Sequence, residues 1–486
     1  MKKSNSQFYI TIIISFLFMF GFKFLPAPAG LSTSGMQVIG VFIGTLILWL
    51  TISIDWPSIL LLGALALIPE LKFKTILSGA YGNTTFVFLM FTFIVTYALS
   101  KTSYIKRIAL AFITSKLAKK GPWFFVVLYG LSIIFLGMFI SPTVLFFVYL
   151  PIHEEICTLL NLEKGDKLSA MLMMSTVIFC GISSGMTPIA HVFPLIAMGL
   201  YADMYGVAID YARFMMVAIP VGLLTFIIVM LVFKFILRPD MSSLKNFDVN
   251  QIKGNEEKVT LSEKIVLSVF ILVIVLWVAP GLLKLLITSG LVYEFLAWFD
   301  GLGTAMPPLI GIIILCIVRV DGKPLLSIGE AMSKGVSWPS LVMCAGTLAI
   351  GSALTNADIG FTAWLSSTLS PRIAGLSPII MVLIFALWAA IQTNLSSNMV
   401  TSTLVTTAAL SITAGMAGIT VPGIVIVVGI MASYAFATPP AMPCVAIAGS
   451  SGWTNTMQMM FYGFIAMFVA VLVVTFVGYP IATLIF

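Results

Sequence analysis

Charged residues are scarce in this chain of 486 residues: only 9% are Asp, Glu, Lys or Arg, whereas 60% are hydrophobic. So little polar surface cannot cover a water-soluble core of that size. The chain has two histidines, and its five cysteines show no CxxC or Cys-His spacing, which argues against a disulfide framework and against a structural zinc site. We therefore expect a protein that is solvated by lipid.

The apolar residues come in runs of about 20, the length of helix that crosses the hydrocarbon core of a bilayer. Polar residues do not alternate with them as they would in a membrane barrel. The runs predict an all-α polytopic membrane protein with about eleven transmembrane helices plus two re-entrant hairpins. The predicted spans are 7–25, 36–54, 56–70, 84–100, 168–200, 212–237, 264–288, 303–318, 336–355, 411–448 and 457–485.

The basic residues predict an orientation rather than a nucleic-acid partner. The net charge is +7, but Lys and Arg cluster in the predicted loops. Nineteen of the 25 lie on one side of the predicted membrane. The positive-inside rule then places the amino terminus in the cytoplasm and the carboxyl terminus outside, in a bacterial cytoplasmic membrane.

Four sequence landmarks occur twice in the same order, 251 to 256 residues apart. The predicted spans before the first pair of landmarks run in opposite directions, which predicts two inverted-topology repeats. Such repeats are typical of secondary transporters, which hold a solute near the membrane midplane. The pairs are Gly82–Met90 with Gly335–Met343, Ala98–Ser100 with Ala353–Thr355, Ser141 with Ser397, and Thr187–Ala190 with Thr438–Ala441.

The repeats predict five segments, each with a separate role. They are 1–121, the scaffold of the first repeat; 122–237, its transport part, with a hairpin at 122–151 and a broken helix at 168–200; 238–262, a cytoplasmic linker; 263–370, the scaffold of the second repeat; and 371–486, its transport part, with a hairpin at 371–410 and a broken helix at 411–448.

All eighteen Asp and Glu residues lie at the ends of predicted spans, as Glu70 does, or in loops, which argues against the buried carboxylate relay of many cation carriers. Ser, Thr, Asn and Pro instead form clusters at the predicted hairpin tips, Ser141-Pro142-Thr143 and Gln392–Thr403. Helix amino termini at such tips present N–H donors and partial positive charge to an anion. A small anionic solute is therefore the predicted substrate. The alternative for either cluster alone is a polar stripe between packed helices.

Two further features fall in the predicted broken helices. The Thr-Pro pairs at Thr187-Pro188 and Thr438-Pro439 predict unwound backbone beside a cavity, with ordinary proline kinks as the alternative. His191 lies inside a span, where a titratable group suggests function, although one backbone carbonyl could satisfy it equally well. His153, near a helix end, is expected to be solvated.

These clusters resemble the divalent anion/sodium symporter family of dicarboxylate and citrate carriers, and the likeness extends along nearly the whole chain. That family has Ser-Asn-Thr at each hairpin tip and Thr-Pro-Pro-Asn in each following broken helix. Ser141-Pro142-Thr143 resembles the first tip, and Ser397-Asn398-Met399 resembles the second. Thr438-Pro439-Pro440-Ala441 resembles the second broken helix, and Thr187-Pro188-Ile189-Ala190 is a degraded first copy.

The resemblance implies a homodimer with transport domains that move as elevators, and a substrate such as succinate, malate, fumarate or 2-oxoglutarate. It implies that Ser141, Thr143, Ser397 and Asn398 hold the substrate carboxylates, and that further contacts come from Pro142, Met399, Thr187, Pro188, Thr438, Pro439 and Pro440. No cofactor or metal centre is implied apart from sodium.

Departures from the family pattern concern sodium. Pro142, Met399, Ala190 and Ala441 replace side chains with the oxygens that a hard cation requires. The sequence therefore predicts sodium-independent dicarboxylate exchange, with a sodium-coupled symporter as the alternative. His191 is the candidate for supplying charge to the coupling.

Two other classes of protein fit parts of the sequence. Gly181–Gly185 fits the GxSxG pattern and precedes His191, which suggests an intramembrane serine hydrolase. A nucleophile elbow, however, needs a strand-to-helix turn and an acid that orients the histidine. An ion channel is the second alternative, and it would conduct without stoichiometric exchange.

Overall fold

The computed structural model describes residues 5–245, 247, 252, 258–373, 375–414, 416 and 418–486. Part of the predicted linker 238–262 and the first four residues lie outside these ranges. The described part is helical apart from one short antiparallel ribbon, formed by Arg319–Val320 (β1) and Lys323–Pro324 (β2).

The first half of the chain ends in a long helix, α11, that continues as the wider turn Phe233–Leu237. Its helices are α1 (Asn5–Gly21), α2 (Thr33–Thr51), α3 (Trp56–Leu65), α4 (Phe73–Tyr81), α5 (Thr84–Ser100), α6 (Tyr104–Ile113), α7 (Pro122–Gly137), α8 (Pro142–Leu159), α9 (Lys167–Ser184), α10 (Val192–Tyr205) and α11 (Tyr211–Val232).

The second half begins with a helix that carries a capping box, in which Thr260 and Glu263 satisfy each other's backbone N–H groups. Its helices are α12 (Leu261–Leu286), α13 (Leu291–Gly301), α14 (Met306–Ile317), α15 (Ile328–Glu330), α16 (Trp338–Thr355), α17 (Phe361–Ile373), α18 (Pro378–Leu395), α19 (Asn398–Thr413), α20 (Val421–Ser433), α21 (Pro443–Ser450), α22 (Thr456–Val473) and α23 (Tyr479–Ile485).

The same order of elements occurs twice, once in α5 to α11 and again in α16 to α22. Corresponding helices begin 245 to 257 residues apart, which agrees with the spacing of the sequence landmarks. In each copy a long helix is followed by a short one, a pair with a tight break, a second broken pair and a closing long helix. That the two copies have opposite orientations stays a prediction.

Within the described ranges, nine helices are long and apolar enough to cross a membrane, and a tenth span results if α13 and α14 count as one helix bent by 82°. The all-α polytopic class is thus confirmed, although the count differs from the eleven spans predicted. One reason is that the predicted span 56–70 contains only the ten-residue helix α3. Another is that the predicted span 411–448 is divided between α20 and α21.

The core lies around α9 and α20, which are buried along nearly their whole length. α9 packs on α7 and α8, whereas α10 packs mainly on α19 and α20, and α21 contacts α8 and α9. The second part of each broken pair therefore lies against the other repeat. This crossing brings both breaks and both hairpin tips to the middle of the molecule.

Candidate functional site

The first hairpin tip is the short link between α7 and α8. Pro142 occupies the first turn of α8, where its missing N–H costs no helical hydrogen bond. α7 passes so close to α9 that a Cβ on Gly137 would overlap the Ser183 hydroxyl. Glycine at 137 therefore lets the tip approach the broken helix.

The second tip, between α18 and α19, is capped by its own side chains. The Ser397 hydroxyl accepts a bond from the Val400 N–H, and the Ser396 hydroxyl accepts one from the Ser397 N–H. Asn398 begins α19 and is only 7% exposed. Its amide N–H donates to the Ala441 carbonyl, 3.3 Å away, so the tip is tied to the break that follows α20.

The two threonines of the Thr-Pro pairs make equivalent contacts in the two repeats. The Thr187 hydroxyl donates to the Met138 carbonyl of the first tip. The Thr438 hydroxyl donates to the Asn394 carbonyl next to the second tip. Both hydroxyls are used to tie a broken helix to a hairpin, and neither residue lines the cavity between the tips.

A cavity of about 630 Å³, here called the central cavity, lies between the tips. It brings together many of the predicted site residues: Ser141 and Thr143 from the first tip, Ser397, Asn398 and Met399 from the second, and also His191 and Pro440. The other predicted residues, Pro142, Thr187, Pro188, Thr438 and Pro439, do not line it.

The remaining walls of the central cavity are mostly apolar. Trp49, Phe93 and Met343 come from α2, α5 and α16, outside the hairpins. Trp49 is held by its indole N–H, which donates to the Ser58 hydroxyl at 2.9 Å. Ser337 and Ser340, whose hydroxyls lie 2.8 Å apart, add polar groups on the same side.

Four helices begin at the central cavity, and this convergence sets its electrostatics. α8, α10, α19 and α21 start at Pro142, Val192, Asn398 and Pro443. Three of these starts have no side-chain cap; only α19 has one. Each helix start carries roughly half a positive charge. None of the described lining residues is Asp, Glu, Lys or Arg, so this partial charge is unopposed and favours an anion.

His191 stands at the start of α10, on the wall of the cavity. Its ring lies 3.9 Å from that of Phe193, measured between centroids. Its Nδ1 is buried and has no hydrogen-bond partner among the described residues. A buried ring nitrogen without a partner is costly, so this nitrogen is available to a group that enters the cavity.

Asn394, which the sequence placed in the polar run but not at the site, holds the break of α20 in place. Its amide N–H groups donate to the carbonyls of Ala390 and Tyr434, each 2.9 Å away. Its amide oxygen accepts from the Ala437 N–H at 2.8 Å. One fully buried side chain thereby satisfies two backbone groups that the break of α20 leaves unpaired.

Residues 5–485 match the sequence model of a family described as the sodium:sulfate symporter transmembrane region. The chain belongs to this family. The resemblance seen in the sequence is therefore confirmed, and the protein is a multi-pass membrane transporter rather than an enzyme.

Curated relatives of this symporter-family chain include two named sodium-dependent dicarboxylate transporter SdcS. The one from Staphylococcus saprophyticus is 25% identical over 471 residues, which cover 93% of this chain and 87% of the relative. The one from Staphylococcus aureus strain USA300 is 24% identical over 473 residues, with the same coverage. The YdaH transporter of Alcanivorax borkumensis has a similar fold, with a TM-score of 0.57 at 10% identity over 84% of this chain and 87% of that one.

The geometry around Ser183, as well as the family to which the chain belongs, argues against the serine hydrolase alternative. The Ser183 hydroxyl donates to the Cys180 carbonyl within its own helix. Within the part of the chain that the structure describes, His191 Nδ1 has no partner, so it does not receive a bond from this serine. In the GxSxG pattern, Ser183 packs against Gly137 of α7, whereas Gly181 and Gly185 pack against Phe436 and Tyr434 in the segment that follows α20.

Proposed function

We propose that this transporter carries dicarboxylates across the bacterial cytoplasmic membrane by secondary active transport. The central cavity is the observation that carries the proposal, because two polar hairpin tips face one space without a formal charge. Each tip offers hydroxyl or amide groups and a helix start to one carboxylate. The names of the two staphylococcal relatives supply the same substrate class. A volume of about 630 Å³ is within the usual range for a small-molecule site.

Elevator-type movement is the proposed mechanism. α7 to α11 and α18 to α23 would form the transport part, and the helices of 1–121 and 263–370 the scaffold. Support comes from the cavity itself, because Trp49, Phe93 and Met343 face the tips from the scaffold side. The homodimer, the inverted repeats and the cytoplasmic amino terminus belong to the same proposal.

Coupling to sodium now has more support than the sodium-independent exchange that the sequence predicted. Both relatives are named sodium-dependent, which gives the exchange prediction no support. Beside the second tip, the Thr393 hydroxyl oxygen lies 3.0 Å from Asn398 Oδ1 and 2.7 Å from the Ala432 carbonyl oxygen. Three buried oxygens from three segments are suitable hard ligands.

The first tip lacks the corresponding oxygens. At the spacing of 256 residues that relates Ser141 to Ser397, Thr393 corresponds to Gly137 and Asn398 to Pro142. Neither residue has a side-chain oxygen. We therefore propose sodium-coupled uptake with one cation site, at the second tip, and keep exchange as the alternative.

Purified protein in liposomes distinguishes these proposals. We expect labelled succinate to accumulate in empty vesicles under an inward sodium gradient, with a hyperbolic dependence on sodium concentration. Uptake that requires internal dicarboxylate and ignores sodium would favour exchange, and a sigmoidal dependence would argue against a single site. Labelled sulfate serves as the parallel substrate, because accumulation of sulfate alone would overturn the dicarboxylate proposal.

His191 is expected to affect coupling more than substrate affinity. His191→Ala should weaken sodium activation of uptake and change the KM for succinate by less than about threefold, because anion binding rests mainly on the helix starts. Initial rates across a series of sodium and succinate concentrations give both quantities, with His191→Gln as the variant that keeps hydrogen-bonding capacity. Unchanged sodium dependence in His191→Ala would remove the residue from the coupling.

A further inference from the structure

A second cavity, here called the vestibule, opens beside the central cavity and has a volume of about 400 Å³. The two share Phe93, Ser141, His191 and Ser337 as walls. The vestibule follows α5 from Leu89 to Ser100, a distance of roughly 16 Å at 1.5 Å per helical residue. It thus leads from the first hairpin tip to the end of α5.

An ion cluster lies at the outer end of the vestibule. Glu330 Oε1 is 2.7 Å from Lys101 Nζ and 3.4 Å from Lys334 Nζ, and it accepts a hydrogen bond from the Tyr97 hydroxyl at 3.0 Å. Lys101 Nζ also lies 4.8 Å from the centre of the Tyr97 ring. Two ammonium groups therefore share one carboxylate, and the cluster has a net charge of +1.

The geometry keeps this charge constant around neutral pH. Hydrogen bonds from Lys101 and Tyr97 lower the pKa of the Glu330 carboxyl to about 2. The bond to Glu330 raises the pKa of the Lys101 ammonium above its usual value. The carboxylate therefore loses its charge only in strong acid, and Lys101 loses its charge only in strong base.

Lys334 faces the vestibule, whereas Lys101 does not line it. Among the described residues that line either cavity, Lys334 is the only one that is Asp, Glu, Lys or Arg. It is 68% exposed, so its ammonium group meets water at the mouth of a cavity with apolar walls. A cation in that position raises the local concentration of anions and speeds their association.

We propose that Lys334 forms an access subsite that holds a carboxylate of the incoming or departing anion before the anion reaches the hairpin tips. Glu330 sets the strength of this subsite, because it neutralises half of the paired lysine charge. The proposal rests on the proposed function for the identity of the solute. The charge distribution predicts that the subsite lies on the cytoplasmic side.

The test compares Lys334→Gln with Glu330→Gln in vesicles of known protein orientation. Lys334→Gln should raise the KM for succinate presented at the vestibule face by about threefold or more, whereas Glu330→Gln should lower it. Both effects should shrink as ionic strength increases. Lys323→Gln, on the same connection but away from both cavities, should leave the KM unchanged. Equal KM values in the three variants, or losses in both Lys334→Gln and Glu330→Gln, would mean that the cluster only joins two helix ends.

A second readout does not depend on transport. Ser100 lines the vestibule and is exposed, so Ser100→Cys can report the local potential. The ratio of its reaction rates with an anionic and a neutral methanethiosulfonate should fall in Lys334→Gln and rise in Glu330→Gln. A ratio that ignores both changes would overturn the subsite, even if the wild-type protein carried no dicarboxylate. Absence of succinate uptake with normal ratios would instead contradict the proposed function alone.

Discussion

Asn398→Ala should reduce succinate uptake by about tenfold or more while leaving the protein folded. The amide lines the central cavity and also donates to the Ala441 carbonyl. Its loss removes a group that faces the solute and leaves a buried carbonyl without its donor, which costs about 1–3 kcal/mol. Since 1.4 kcal/mol corresponds to a factor of ten, a cost near the middle of that range, about 2 kcal/mol, is enough for the effect.

The measurement is the initial rate of labelled succinate uptake over a range of concentrations, with thermal unfolding in detergent as the test of folding. Thr413→Ala is the matched control on the same helix, because the Thr413 hydroxyl donates to the Ala409 carbonyl one turn earlier and the residue does not line the cavity. Thr143→Ala at the first tip should also reduce uptake, since a dicarboxylate needs both tips. Normal uptake by both Asn398→Ala and Thr143→Ala would refute the site.

Local sequence indicates where several helices of the hairpins and broken pairs begin. Pro142, Pro378 and Pro443 each stand in the first turn of a helix, where proline fits. Polar residues collected at the tips because helix starts there leave N–H groups to be satisfied. These prolines and polar clusters recur at a nearly constant spacing in the two repeats. The prediction for one repeat therefore supports the prediction for the other.

Side-chain direction did not follow from the sequence. The backbone around Thr187 and Thr438 was predicted near the solute, and their hydroxyls bond to hairpin carbonyls that are distant in the chain. The sequence alone gives no sign of which neighbour a hydroxyl will meet.

His153, expected to be solvated, is buried instead, with its Nε2 3.0 Å from the Ser169 carbonyl. α8 continues through Pro151 to Leu159, so this histidine lies inside the packed helix pair α8 and α9.

The partners of Asn394 could not be predicted from the sequence either, and this residue has the largest expected effect on stability. It lies among eleven other residues of the polar run Gln392–Thr403, several of which are equally polar. Only the fold reveals that Tyr434 and Ala437, some 40 residues further along, depend on it. The backbone of a broken membrane helix must find partners inside the protein, and a single amide can serve both sides of a break.

Asn394→Ala should therefore destabilise the protein strongly and abolish transport. The change leaves the Tyr434 carbonyl and the Ala437 N–H unpaired in a site that is 0% exposed. Two such groups cost about 2–6 kcal/mol together, at 1–3 kcal/mol each. We expect a clear fall in the unfolding temperature in detergent, together with loss of succinate uptake.

Two further variants separate this role from a general effect of altering α18. Gln392→Ala, two residues earlier and only partly buried, should change neither property. Asn394→Asp keeps an oxygen acceptor for the Ala437 N–H but places a carboxylate against the Tyr434 carbonyl, so it should not restore stability. If Asn394→Ala unfolded at the wild-type temperature and still carried succinate, water or a rearranged backbone would have to bond to the Tyr434 carbonyl and the Ala437 N–H. The contact between the hairpin and the broken helix would then be dispensable for transport.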